Sequence, residues 1–277
     1  MVAGKNADPK TIDSFGDEWQ RFDQAGMPEA EARAIFERYF AIFPWERLPE
    51  DASGFDMGCG SGRWARFVAP RVATLHCIDP SAALDVAEKN LAGCRNVVFH
   101  EAGVDDDCLP EGSQDFGYSL GVLHHIPDTQ AALGRCARML KPGAPFLLYL
   151  YYAFDNRGRA FRMLWSFSNV GRKVVSVLPA PVKRVVTDAI ALAVYWPVAR
   201  SSLLLEKLGM KVASLPLSFY RNRSFYTMRT DARDRFGTPL EQRFTRSEIE
   251  TMMRNAGLDA IRFSSSEPYW CAVGIKR

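Results

Sequence analysis

The feature that most constrains this chain is a glycine-rich loop at residues 54–62, which reads Gly-Phe-Asp-Met-Gly-Cys-Gly-Ser-Gly. Glycines at alternate positions, Gly58, Gly60 and Gly62, let the backbone turn tightly between a short strand and a helix. They also allow a ligand to lie directly against the peptide groups at the start of that helix. We therefore expect this loop to bind a large ligand that contains adenosine.

Asp79 supports this interpretation, because it stands at the end of a second predicted strand, 73–78. A carboxylate at that point can accept hydrogen bonds from both hydroxyls of a ribose. The alternative is that Asp79 caps a helix starting at Ser81, and one side chain cannot easily serve both roles. The spacing Gly-x-Gly-x-Gly also differs from the Gly-x-Gly-x-x-Gly of dinucleotide-binding folds.

With Asp56 just ahead of Gly58, the loop resembles the first motif of the class I S-adenosylmethionine-dependent methyltransferases. Residues 115–128 resemble the fourth-strand motif of that family, and Leu-Lys-Pro-Gly at 140–143 resembles the turn before its fifth strand. The resemblance covers roughly residues 50–150 and resumes near the C-terminus. It implies an α/β fold, in which a Rossmann-like, mostly parallel seven-stranded sheet has helices on both faces and an antiparallel edge hairpin.

The order of the predicted elements agrees with that fold, since strands and helices alternate from residue 55 onwards. The first strand is weak, because residues 52–55 lack the usual run of branched apolar side chains. The further predicted strands are 74–78, 96–100, 116–120, 146–151, 259–264 and 270–275, and the predicted helices are 28–43, 64–69, 81–91, 129–140 and 246–256.

The resemblance implies S-adenosylmethionine as the cofactor. The residues predicted to bind it are Asp56, Gly58, Cys59, Gly60, Gly62, Asp79, Pro80, Gly103, Val104, Leu120 and Trp19. Gly103 and Val104 stand where the family has its adenine contact, usually an acidic residue followed by a small one, so backbone and apolar contact would replace a carboxylate. Trp19 belongs to an aromatic and charged segment, 15–22, that is interpreted equally well as a lid over the ligand or as an arm packed on the core.

Two histidines and a tyrosine are the candidate catalytic residues. His124 and His125 follow the fourth strand, beside the place that the resemblance gives to the sulfonium. A histidine titrates near neutrality and can remove the proton of an attacking hydroxyl. For each histidine the alternative is a hydrogen bond to the backbone in the turn before Pro127. Tyr152 is the third candidate, since it leaves the fifth strand over the same cleft.

Charge separates an insertion from the rest of the chain. Residues 155–240 contain 15 Lys and Arg against 5 Asp and Glu, whereas the remainder contains 20 against 27. This asymmetry indicates an anionic partner. The predicted acceptor-binding residues are Tyr151, Asn156, Arg157, Tyr220, Arg223, Tyr226 and Arg229. Their interleaved tyrosines and arginines could grip a sugar ring or a phosphate, or form only a solvated basic face.

The same insertion is apolar around residues 189–205, but Pro197 and Arg200 interrupt this run before it reaches the roughly 20 residues of a spanning helix. We therefore predict no transmembrane helix. For residues 161–208 two interpretations stay open. We favour a helical cap packed on the core, because most amphipathic helices pack that way, over a basic amphipathic face in peripheral contact with lipid.

The six cysteines are scattered without a Cys-x-x-Cys pair and the N-terminus is polar, so we expect reduced thiols, no metal site and a cytoplasmic protein. The predicted organisation is a disordered tail at 1–12, a core at 13–154 and 241–277, and the basic helical insertion at 155–240. The oligomeric state stays open.

These features predict a methyltransferase that acts on a hydroxyl, or an amine, of a small acceptor that is anionic or contains a sugar. No nucleic-acid partner is expected, because no recognition module is present. The first alternative is a membrane-associated quinone or lipid methyltransferase. The second is a regulatory protein that binds the cofactor without turnover.

Overall fold

The computed structural model describes residues 6–212 and 215–277, apart from the side chain of Ala160. The chain divides into two compact units. We call them the sheet unit, which comprises the chain up to Asp23, Arg33–Asp155 and Leu240–Arg277, and the helical unit, which comprises Gln24–Ala32 and Asn156–Pro239. The sequence did not predict that Gln24–Ala32 groups with the insertion. It does so because the Gln24 backbone N–H donates to the Tyr226 hydroxyl at 2.9 Å, while Gly26 lies against the Tyr226 ring.

One mixed sheet forms the centre of the sheet unit. Its strands are β1 (Ser53–Met57), β2 (Thr74–Ile78), β3 (Val97–His100), β4 (Phe116–Leu120), β5 (Pro145–Tyr149), β6 (Leu258–Phe263) and β7 (Cys271–Lys276). The seven strands have the order β3-β2-β1-β4-β5-β7-β6, with β7 antiparallel to both of its neighbours and the other pairs parallel. The predicted Rossmann-like fold with an antiparallel edge hairpin is confirmed.

The helices of this unit lie between and before the strands. They are α1 (Pro9–Arg21), the greater part of α2 (Glu29–Tyr39), α3 (Ala65–Val68), α4 (Leu84–Asn90), α5 (Thr129–Met139) and α10 (Arg246–Asn255). α1 begins within the tail that we expected to be disordered, so that prediction is wrong for residues 9–12. α4 begins three residues later than expected, because Ser81 Oγ accepts a hydrogen bond from the Ala83 N–H and holds residues 81–83 in a turn.

The weak first strand has a packing explanation. A Cβ atom at Gly54 would lie 2.2 Å from the Phe116 ring, and one at Gly117 would lie 2.4 Å from the Phe55 ring. Each glycine therefore makes room for an aromatic ring of the neighbouring strand, and the rings fill the space that branched residues would occupy.

The longest helices in the described part of the helical unit are α6 (Arg159–Ser176), α7 (Ala180–Ile190), α8 (Trp196–Lys207) and α9 (Phe225–Gly237). A π turn, Ala191–Tyr195, joins α7 to α8 without a break. In it the Trp196 N–H bonds to the Ala191 carbonyl, five residues back, which widens the helix just before Pro197 and makes room for a residue with no N–H. The prediction that Pro197 interrupts the apolar run is therefore wrong.

Among the described residues, one continuous helix, Ala180–Lys207, is long and apolar enough to cross a membrane, judged by its length of 28 residues and its composition alone. A single helix of this kind is weak evidence for a membrane span. The small apolar core of the helical unit consists of Ala191, Tyr195, Ala199, Met228 and Ala232.

Candidate active site

The glycine-rich loop leaves β1 and turns at the carboxyl edge of the sheet. Its backbone has positive φ at Gly58 (78°), Gly60 (54°) and Gly62 (73°). The Gly58 N–H donates to the Ile78 carbonyl at 2.8 Å, which ties the loop to the end of β2. A Cβ atom at Gly58 would lie 2.4 Å from a methyl carbon of Val122, so this glycine is required for packing as well as for its φ.

Asp79 holds the loop from the end of β2. One of its oxygens accepts a hydrogen bond from the Gly60 N–H at 2.9 Å, and the other accepts from the Ser81 N–H at 2.9 Å and the Ser81 hydroxyl at 2.6 Å. Asp79 therefore stabilises a turn and is not the N-cap of α4, whose N-cap is Ala83. Each carboxylate oxygen can accept two hydrogen bonds, so the oxygen facing Gly60 retains capacity for a ligand hydroxyl.

Asp56 brings a second buried carboxyl group to this place. Burial raises its pKa to about 8, the nearby Tyr118 hydroxyl offsets part of that rise, and the charge of Asp79 adds to it. Burial also raises the pKa of Asp79, against the hydrogen bonds from Ser81 and Gly60. A cationic ligand group would relieve the repulsion between these carboxylates.

The other predicted cofactor residues lie at the same edge. Cys59 is buried, and its hydrogen bond with Cys77, followed by burial, raises its pKa well above the usual value, so it is a packed thiol. The Gly103 N–H donates to Asp106 at 2.7 Å, and Val104 is part of the hydrophobic core. Leu120 ends β4, and Pro80 follows Asp79 in the turn after β2. Direct cofactor contact by these residues stays a prediction.

α1 lies across this edge in the position of a lid. Trp19 covers Gly60, where a Cβ atom would be 3.1 Å from the indole nitrogen, and Phe15 packs edge-on against His125 with ring centroids 4.9 Å apart. At its start, the Asn6 N–H donates to Asp105 in the loop after β3 at 2.8 Å. The geometry favours the lid over the core-packing arm.

His125 is held in one tautomer by the backbone. Its Nδ1 atom is 2.6 Å from the Leu240 carbonyl oxygen, which can only accept, so Nδ1 carries the proton in the neutral ring. Nε2 is then the basic nitrogen of the imidazole. The expected backbone hydrogen bond is present, and it is compatible with a role as base.

His124 lies in a different environment. It is fully buried, neither ring nitrogen has a hydrogen-bond partner among the described residues, and its ring packs against Tyr151 at 3.9 Å between centroids. Burial, followed by the charges of His125 and Arg243, lowers its pKa well below the usual value. His124 is therefore neutral and a weak base.

The two neighbouring tyrosines differ from what the sequence indicated. Tyr151, predicted to bind the acceptor, contacts both histidines, with centroids 3.9 Å from His124 and 5.6 Å from His125. Tyr152, predicted to be catalytic, packs against Phe154 at 4.7 Å and Tyr269 at 5.8 Å. Since side chains alternate along an extended chain, the two rings leave β5 on opposite sides. This geometry favours exchanging the two predicted roles.

Several predicted acceptor residues have structural partners within the helical unit. Arg229 forms a two-pronged ion pair with Asp188 at 3.1 and 2.9 Å. Tyr220 packs against Tyr195 in the core, and burial raises its pKa well above the usual value. Tyr226 is fixed by the contact with Gln24 described above.

The other two arginines and the asparagine show less. Arg223 lies over the Phe219 ring at 5.1 Å and Arg157 over the Phe161 ring at 5.4 Å, while Asn156 is exposed. A role in acceptor binding stays a prediction for all of these residues.

Sequence reasoning missed three contributors to the site. Phe15 is one. Leu240 supplies the carbonyl that orients His125, and Arg243 lies over the Tyr151 ring at 5.0 Å. Nothing in the sequence marks a backbone carbonyl that lies 115 residues from the histidine it contacts. Phe15 was within the predicted lid, but its distance to His125 needed the fold.

S-adenosylmethionine fits these residues on two observations of this structure. The glycines present bare backbone beneath Trp19, and two buried carboxyl groups face a place where a cation would be stabilised. The hydroxyl of Ser61 in the loop is buried and has no hydrogen-bond partner among the described residues. The loop, Asp56 and Asp79 would hold the cofactor.

Comparison with known proteins agrees with this site. Residues 55–148 match a family model described as a methyltransferase domain. The ubiquinone biosynthesis O-methyltransferase of Thiobacillus denitrificans is 35% identical over 105 residues, which cover 37% of this chain and 44% of that protein. The enzyme of the same name from Coxiella burnetii is 29% identical over 104 residues, 37% of this chain and 43% of that protein. The chain thus matches less than half the length of these relatives.

Solved structures share the fold. Human N-acetylserotonin methyltransferase, solved in complex with S-adenosylmethionine, has a TM-score of 0.54 at 16% identity, covering 95% of this chain and 56% of that one. An O-methyltransferase family protein from Burkholderia thailandensis has a TM-score of 0.51 at 16% identity, covering 88% of this chain and 56% of that one. The solved structures confirm the predicted fold, and the family match identifies residues 55–148 as a methyltransferase domain, the part of the chain that carries the resemblance to the class I S-adenosylmethionine-dependent methyltransferases.

Proposed function

We propose that this chain transfers a methyl group from S-adenosylmethionine to a hydroxyl of a small acceptor, with His125 as the general base. When bound, the cofactor supplies an electrophilic methyl group on a sulfonium. The observation that carries the proposal is the Nδ1 contact of His125 with the Leu240 carbonyl, which leaves Nε2 as the nitrogen that takes the hydroxyl proton.

The surrounding residues have distinct tasks in this proposal. Asp79 and the glycine loop position the cofactor, while α1 excludes water from the edge through Phe15 and Trp19. Neutral His124 and Tyr151 pack beside His125. Because His124 carries no charge, it does not oppose the protonation of His125 during the reaction. Positioning of the hydroxyl supplies the rest of the rate enhancement.

Among acceptors, we place a phenolic hydroxyl, as in a quinol, ahead of an anionic or sugar-containing compound. Support comes from the relatives named ubiquinone biosynthesis O-methyltransferase. The ion pair of Arg229 and the packing of half-buried Tyr220 against Tyr195 weaken the case for a phosphate or sugar grip. The family match at residues 55–148 includes His125 and leaves out the helical unit.

Calorimetry and a transfer assay test the proposal together. The wild-type protein should bind S-adenosylmethionine and methylate at least one member of a panel of catechols, short-chain quinols and sugar phosphates. His125→Gln should retain cofactor affinity while kcat/KM falls by about 10²- to 10⁴-fold. The matched control is His76→Gln, a histidine of β2 whose ring contacts His100, and it should leave kcat/KM unchanged.

Three results would contradict the proposal in different ways. Absence of cofactor binding would remove the enzyme assignment. Cofactor binding without turnover on any acceptor would favour a regulatory protein. Transfer by His125→Gln at the wild-type rate would show that the hydroxyl loses its proton elsewhere.

A further inference from the structure

Beside its small apolar core, the helical unit buries polar and cationic side chains. Arg172, Lys183 and Arg233 are at most 7% exposed, and Thr187 is fully buried. Arg172 donates to the Thr238 carbonyl at 2.9 Å and Lys183 to the Gly237 carbonyl at 3.0 Å. α6 and α7 therefore both turn a cationic side toward the C-terminal end of α9, whose carbonyls are electronegative.

The opposite sides of these helices are apolar and exposed. The exposed large apolar side chains of α6 and its C-cap are Met163, Leu164, Phe167, Val170, Val174 and Val177, with exposed fractions from 54% to 78%. Most of them recur every three or four residues, so they form one stripe along the helix. Further exposed apolar side chains are Val182 and Val185 in α7, Leu192 in the π turn, Leu204 in α8 and Leu208 just after it.

This exposure is a property of one unit. Of the 18 large apolar side chains that are exposed among the described residues, all but Val98 belong to the helical unit. Scattered apolar residues on a surface need no explanation, whereas an apolar side extending over three helices indicates that something other than water covers it.

Charge decides between the candidates for that cover. Between residues 159 and 211 the exposed charged side chains are all basic: Arg159, Arg162, Lys173, Arg184, Lys207 and Lys211. The two acidic residues of the same stretch, Asp188 and Glu206, are each paired with an arginine. A second copy of the chain would bring like charges together, whereas anionic lipid headgroups would attract them.

We infer that the helical unit docks on an anionic lipid bilayer through the exposed apolar side of α6, α7 and α8. The apolar side chains enter the acyl region, the flanking lysines and arginines contact the headgroups, and the half-exposed Trp196 lies at the boundary between the two. This inference does not rest on the proposed function. It favours the lipid interpretation of residues 161–208 over the core-packed cap.

Flotation of the full-length protein with lipid vesicles tests the inference. Vesicles of phosphatidylcholine with about 30 mol% phosphatidylglycerol, an anionic lipid, should carry the protein to the top of a density gradient. Phe167→Glu/Val174→Glu should lower the partition coefficient about 100-fold, because two inserted side chains become charged. Both positions are exposed, so the double variant should fold, as a circular dichroism melt would verify.

Two matched variants separate the sources of binding. Val98→Glu changes the exposed valine of the sheet unit and should leave flotation unchanged. Lys207→Gln/Lys211→Gln should weaken binding to the anionic vesicles about 20- to 30-fold, with no effect on pure phosphatidylcholine. Failure of the wild-type protein to float would overturn the inference. A dimer in sedimentation that Phe167→Glu/Val174→Glu dissociates, without flotation, would overturn it in favour of a second copy.

Discussion

The sheet unit buries apolar side chains such as Phe55 and Phe146 together with carboxyl groups, whereas the helical unit buries the cationic side chains of Arg172, Lys183 and Arg233 beside its small apolar core. Each unit contains a helix whose N-cap side chain accepts a hydrogen bond, Thr245 for α10 in the sheet unit and Ser224 for α9 in the helical unit. Under the inferred docking, the two units differ in the medium that their surfaces meet, which is water for the sheet unit and lipid for the exposed apolar side of the helical unit. Periodicity predicts that a helix has an apolar side, but the side that faces inward depends on what surrounds the unit.

The largest expected effect concerns the buried carboxyl group of Asp56 in the sheet unit. Asp56 has a pKa of about 8 against 3.8 for an ordinary carboxyl, so the folded state binds a proton that the unfolded state releases. The free energy of unfolding should therefore fall between about pH 4 and pH 8, by up to about 5 kcal/mol. Asp56→Asn should flatten this limb in urea titrations without ligand. Asp259→Asn, at an exposed ion pair with Arg277, should not.

The same titration predicts how the cofactor binds. A cationic ligand prefers the ionised carboxylate, so affinity for S-adenosylmethionine should rise toward pH 8 and then level off. Calorimetry at several pH values measures it. If Asp56→Asn retains the wild-type pH dependence, the carboxyl group of Asp56 is not linked to the site.

A smaller effect is expected from the tight packing of the sheet unit. Gly58→Ala introduces a Cβ atom at φ 78° and 2.4 Å from Val122, and should cost about 3 kcal/mol of unfolding free energy. Gly112→Ala is the control, because Gly112 has φ 62° and nothing within 4 Å of its Cβ position. It should cost only about 1 kcal/mol, and equal losses in the two variants would show that backbone strain alone matters.

Substitutions of two lysines test whether the helical unit requires cationic side chains in its interior. Lys183→Met removes the hydrogen bond to the Gly237 carbonyl inside the unit and should destabilise it by about 2 kcal/mol. Lys173→Met, on the exposed side of α6, should change stability by less than about 0.5 kcal/mol. Thermal unfolding compares them. A more stable Lys183→Met would mean that the unit prefers an apolar interior, and the contrast between the units would fail.

The smallest expected effect is one that the two units should share. Thr245 caps α10 in the sheet unit and Ser224 caps α9 in the helical unit, each accepting a hydrogen bond from the third residue on. Thr245→Ala and Ser224→Ala should each cost about 1 kcal/mol. A clear difference in thermal unfolding would show that the surroundings also change local helix energetics.

Much of the fold could be predicted because local signals and tertiary structure agree in the sheet unit. The strand at 74–78 and the strand at 116–120 have the predicted bounds, and the helices predicted to begin at 129 and 246 do so, capped by Asp128 and Thr245. The order of strands followed from the resemblance. The weak first strand was explained only by the aromatic rings packed against its glycines.

The rest depended on contacts between residues distant in the chain. The predicted roles of Tyr151 and Tyr152 depend on which residue ends β5. A shift of one residue along the strand would reverse the side of the sheet toward which each ring points. Arg229 was predicted to bind the acceptor, and its ion pair with Asp188, 41 residues away in the chain, could not be predicted from the sequence. Pro197 was expected to end a helix, but a single π turn upstream makes room for its ring.

The contacts of α1 have a kinetic consequence. Asn6, just before the helix, contacts the loops after β3 and β4, while Phe15, Gly16 and Trp19 of the helix contact the loops after β4, β2 and β1. A ligand cannot leave past one of these contacts while the helix still holds the others. We therefore expect release of the spent cofactor to be a single gated event, whose rate is set by departure of the whole helix and is slower than diffusion.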